Sequence, residues 1–113
     1  MLQATVDQGA RDALLDEARA WDRRSATARR ASLDVRAALT GLPDLRRPLE
    51  RWVPMVFDGP LAVTGREALL DAAAELRRLR SVLEDDAARL WADAQRYERQ
   101  ADDLRRRAAA LTA

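Results

Sequence analysis

The chain predicts an all-α fold, an antiparallel, coiled-coil-like two-helix hairpin with an ordered connector, and three observations predict it. Leu69, Leu76, Leu83, Leu90, Tyr97, Leu104 and Leu111 recur every seven residues, with Ala73, Ala87, Ala94, Ala101 and Ala108 four positions behind their partners and Arg80 as the break. An apolar 4-3 stripe held this long describes a helix that buries one face against another helix along its length. A second stripe of the same period, poorer in large side chains, runs through Leu14, Ala18, Trp21, Ser25, Ala28, Ser32, Val35, Leu39 and Leu42. All four prolines, Pro43, Pro48, Pro54 and Pro60, fall between the two stripes and mark the connector.

The first helix is expected over about 5–40. Thr5 with Gln8 three residues on has the form of a capping box, in which side chain and backbone satisfy free donors reciprocally. Ser25 and Ser32 stand where a closely packed neighbour leaves only a small space. Gly41 followed by Pro43 ends the helix.

The connector, 41–64, is richer in apolar residues than a solvated linker. Leu45, Leu49, Trp52 and Val53 fall at helical spacing, and Asp44 could cap a short third helix beginning at Leu45. Leu49, Trp52 and Phe57 are the residues expected to pack the connector down, and Asp58-Gly59-Pro60 reads as a turn.

The second helix is expected over about 65–112, opened by the capping box Thr64-Gly65-Arg66-Glu67. Its apolar face is broad up to Leu83, where Leu70, Ala72, Leu79 and Val82 widen the stripe. Beyond Asp85-Asp86 it narrows to a Leu/Ala seam that can satisfy one helix only. Because this helix outruns the first, the seam from Leu90 to Leu111 is expected to need a partner. Leu90, Trp91, Tyr97, Leu104 and Leu111 are therefore the candidate interface residues. Trp91, one position off the stripe, either shields its neighbours or anchors that interface. Arg80 either crosses the seam with its head in solvent or pairs with an acid on the facing helix.

Composition narrows the functional classes. The 113 residues form one domain, 1–113, with 48% apolar and 35% charged residues but only 4% aromatic, a balance that suits elongated helices with one buried face. All 20 basic residues are Arg, the mark of a GC-rich, actinobacterial-like coding bias. Charge is neutral overall and locally: residues 1–40 carry seven Arg against six acids, and 65–113 carry ten against ten. Nucleic-acid binders concentrate positive charge on one face, so no nucleic-acid partner is expected. Asp102 and Asp103 ahead of Arg105-Arg106-Arg107 are expected to form i,i+4 pairs, Asp102 with Arg106 and Asp103 with Arg107.

Without His, Cys or Lys, the chain lacks a base poised near neutral pH, a thiolate nucleophile and a Schiff-base amine. No catalytic, cofactor-binding or metal-ligating residue is assigned. Glu84-Asp85-Asp86 and Asp102-Asp103 are the densest carboxylates, but adjacent helical residues diverge by ~100° and do not converge on one ion. No apolar run reaches the ~20 residues of a membrane span, and Met1-Leu2-Gln3-Ala4 does not have the form of a signal peptide.

Two helices flanking an aromatic-x-Gly element, here Phe57-Asp58-Gly59 just ahead of the second helix, resemble the Trp-x-Gly small helical-hairpin proteins of type VII secretion. The resemblance implies a Cys-poor hairpin that pairs into a four-helix homo- or heterodimer, and a protein that is cytoplasmic or exported without a cleaved signal peptide. Phe57 stands in place of that family's Trp. Tyr97 is followed by an acid, Asp102, five positions on rather than the family's four, which weighs against direct export. The expected function is that of a non-enzymatic interaction protein, a type VII-like partner or accessory. The alternative is a structural or adaptor subunit of a larger assembly such as a phage particle.

Overall fold

The computed structural model describes residues 2–42 and 60–111. Two helices account for nearly all of them: α1, Leu2–Gly41, of 40 residues, and α2, Pro60–Ala110, of 51 residues, about 76 Å long at 1.5 Å per residue. They pack against each other, and there is no strand among the described residues. The two-helix hairpin expected from the stripes is the observed architecture. The connector, with its short third helix and the packing expected of Leu49, Trp52 and Phe57, lies outside the described residues.

Both helices begin earlier than the capping boxes suggest. α1 already runs through Thr5, and Gln8 donates to Asp12 one turn on rather than back to the Thr5 backbone. α2 starts at Pro60, so Thr64 and Glu67 lie inside it. Pro60, expected within a turn, instead opens the helix, and a Pro suits the first helical position: its missing N–H would be unpaired there and its fixed φ is helical. The stop at Gly41 is as expected, and the Leu42 N–H bonds the Leu39 carbonyl at 3.2 Å in a tightened last turn.

The chain groups into two compact units, Met1–Asp34 with Ala87–Ala113, and Val35–Asp86. In the first, the two stripes form the core. Ala18, Ser25, Ala28 and Ser32 of α1 are buried, as are Ala87, Ala94, Ala101, Leu104 and Ala108 of α2. Ala18, Ala101 and Leu104 make one cluster with Leu14 and Trp21 packed on it. Alanine at nearly every second layer lets the helix axes approach closely, toward the lower end of the usual ~8–10 Å. Two serines exploit that approach: Ser25 Oγ donates to the Ala94 carbonyl at 2.9 Å, and Ser32 Oγ to the Ala87 carbonyl at 2.8 Å. The two bonds lie one heptad apart on each helix and set the antiparallel register.

In the second unit, Leu39 and Ala73 are the buried apolar residues among those described, while Val63, Leu70, Leu79 and Val82 are exposed. Arg80 donates from Nη2 to the Leu42 carbonyl at 2.7 Å. Neither reading of Arg80 anticipated this partner. The guanidinium meets a carbonyl just past the negative end of α1, where a cation is favoured. Arg80 thus stands opposite the end of α1, and the stretch of α2 before it lies past that end.

Candidate functional site

The candidate site is a groove along the first unit, and its residues come from both stripes. Its floor is made of small side chains on α1, Ala20, Thr27, Ala28 and Ala31. Arg23 and Arg24 flank it, and Leu90 and Tyr97 reach it from α2. The local sequence explains the shape. Small residues at these α1 positions leave the Leu90 and Tyr97 side chains incompletely covered, and both stay half-buried.

Tyr97 is held in place by aromatic and cationic neighbours. Its ring lies 5.5 Å from that of Trp21, tilted by 41°, and the Arg96 guanidinium sits 5.6 Å from the Tyr97 centroid. Arg24 lies over the Trp21 ring at 4.4 Å. Such contacts contribute of order 0.5–1 kcal/mol each at exposed sites and mainly orient the rings. The Thr27 hydroxyl donates to the Arg23 carbonyl at 2.9 Å, so the groove floor presents no unsatisfied donor there.

The opposite edge of this unit is closed by charge. Arg29 pairs with Glu98 and lies 5.2 Å from the Trp91 ring centroid, and Arg105 pairs with both Asp22 and Asp102. The arginines after Asp102-Asp103 do not pair as expected. Arg105 bonds Asp102 and Arg106 bonds Asp103, each three residues apart rather than four. Arg105, which the expected pairs left out, thus bridges Asp102 on its own helix and Asp22 on α1.

The five sequence-assigned interface residues separate in the structure. Leu90 and Tyr97 come together at the groove. Trp91 lies half-buried beneath Arg29 on the opposite edge. Leu104 is only 1% exposed, enclosed by Ala18, Leu14 and Trp21 of its own chain, so it is corrected from interface to core. The reason is the course of α1. It begins at Leu2, and Ala4, Asp7, Gln8 and Arg11 stand beside Leu111, so the far end of α2 is not left without a helix to face. Leu111 itself remains 38% exposed. The surplus length of α2 falls at its start, past the end of α1.

Sequence reasoning missed Ala20, Thr27 and Ala31, because they lie off the apolar stripe and are too small to register as anchors. Their signal was present as a run of small residues on one side of that stripe. Among the described residues, no group of three or more His, Cys, Asp or Glu could hold a metal ion, and no helix is long and apolar enough to cross a membrane. No family model, curated protein or solved structure matches the chain.

Proposed function

We propose that this protein is a non-enzymatic interaction module that docks a partner helix in the groove of its first unit. The observation that carries the reading is that groove: two large side chains, Leu90 and Tyr97, left half-exposed over a floor of Ala20, Thr27, Ala28 and Ala31. A helix laid there would bury both, and the small floor residues would let it approach closely. A tilted, arginine-braced Tyr97 is already ordered before binding, which lowers the entropic cost of docking.

The biological setting that fits is a partner or accessory of a type VII-like secretion system, working as half of a four-helix bundle. Support comes from the hairpin architecture and from Phe57-Asp58-Gly59 immediately ahead of Pro60, where α2 starts. A protein partner is favoured over nucleic acid by the balance of ten Arg against ten acids in 65–113. Location in the cytoplasm, or export without a cleaved leader, belongs to the same reading.

Native mass spectrometry of the full chain purified from its own cells tests the docking role. A complex of defined stoichiometry is expected, lost on Ala31→Glu while helical content stays unchanged. A chain recovered only as a bare monomer, or a complex indifferent to Ala31→Glu, refutes it.

A further inference from the structure

We propose that the helix docked in the groove is α1 of a second copy of this chain, antiparallel to the first, with Arg24 of each copy meeting Asp34 of the other. The inference rests on the docking reading above and names its partner. The groove face of α1 carries Ala20, Arg24, Thr27 and Ala31 at alternating four- and three-residue steps, and Asp34 is the next step along. Such spacing keeps all five on one side of the helix.

Within this five-residue row the two charges have opposite signs, while Arg23 flanks the groove beside it and Asp34 stands just beyond the groove lining. Among the described residues neither has an ion pair within the chain: Arg24 rests on the Trp21 ring and Asp34 has no charged partner. Both are exposed. Between them lie only Thr27 and Ala31, three residues in from either end. The face is therefore self-complementary. When Thr27 sits opposite Ala31 of an antiparallel copy, Arg24 falls opposite Asp34, and two-fold symmetry makes each pair twice.

Neighbouring registers lack this match. Slipping by one heptad in one direction sets Glu17 against Asp34 of the copy, acid against acid. Slipping the other way leaves Arg24 facing Gly41 and Asp34 facing Ala31. Exposed ion pairs add little affinity, so their part is to select register and partner, while burial of Leu90 and Tyr97 over the small floor drives association. An unrelated acidic helix would be drawn to Arg23 and Arg24 but repelled by Asp34. A second copy satisfies both signs.

Sedimentation equilibrium of the full chain alone, at tens of micromolar, tests the proposal. A dimer mass is expected. Arg24→Asp and Asp34→Arg should each weaken the dimer at least about tenfold, because each sets like charges together twice. The double exchange, Arg24→Asp with Asp34→Arg, should restore the dissociation constant to within about threefold of the original, since the pairs re-form with signs swapped. Circular dichroism on all four proteins separates dissociation from unfolding, and restoration in the double exchange speaks for the pair even if one single variant loses helicity. A monomer at hundreds of micromolar, a dimer untouched by both single changes, or a double exchange no better than either single overturns it. An isolated monomer that still forms a complex in its own cells removes the second copy and leaves the docking role. A chain that does neither removes both.

Discussion

The two compact units are built on the same seven-residue repeat and pack in different ways. In the first, seven apolar residues and two serines are buried between helices whose layers alternate large and small side chains. In the second, Val63, Leu70, Leu79 and Val82 remain exposed although the repeat continues through Leu69, Leu76 and Leu83. Only the first unit joins its helices by Ser-to-carbonyl bonds and by Arg–carboxylate pairs among the contacts described, whereas the second has Arg80 at the end of α1. The period of a stripe thus specifies a helix and the side it buries. Whether that side is filled depends on how closely the facing side chains let two axes approach.

Truncating one leucine in each unit is the harshest way to break this contrast. Leu104→Ala removes a fully enclosed side chain and should cost about 2–4 kcal/mol in urea unfolding, through lost transfer energy and a residual cavity. Leu79→Ala, at a side chain 46% exposed, should cost less than about 1 kcal/mol. Equal losses at the two positions would mean the units are not packed differently. Overfilling the close-packed seam comes next. Ala94 is 0% exposed, and Ala94→Leu should cost about 1–3 kcal/mol as the helices are pushed apart, breaking the Ser25 bond to the Ala94 carbonyl. A Tm within a degree or two of the parent would show that the axes are not as close as the alanines imply.

The smallest effect sharpens the account of the second unit. Arg80→Met keeps most of the apolar stem and removes the donor to Leu42, for an expected loss of about 1 kcal/mol. Its signature is local: amides in the last turn of α1 should exchange faster, while those around Ser25 and Ser32 keep their rates. Uniform loss of protection along α1 would argue against a role confined to that end.

Much of the core was legible in the residues. Every member of the α1 stripe from Leu14 to Leu42 is buried or half-buried, because a 4-3 spacing leaves a helix one way to hide its apolar face. Helix starts were less legible. A capping box is a four-residue pattern, and at Thr5 and Thr64 the surrounding helix simply runs through it; Pro60 at the first turn was the better signal. The candidate site was half legible. Leu90 and Tyr97 stood out by size, whereas Ala20, Thr27 and Ala31 matter for what they leave open, which no single residue announces.

Two long helices, the face each buries, and the absence of His, Cys and Lys chemistry all follow from the period and composition of the residues. Tertiary structure alone decided where that face is covered. The antiparallel register places the start of α1 beside Leu111 and its end opposite Arg80, so Leu104 becomes core and the surplus of α2 falls at its beginning. Register depends on the pairing of two segments far apart in the chain, through contacts such as Ser32 to Ala87, and a repeat with a seven-residue period is compatible with several such pairings.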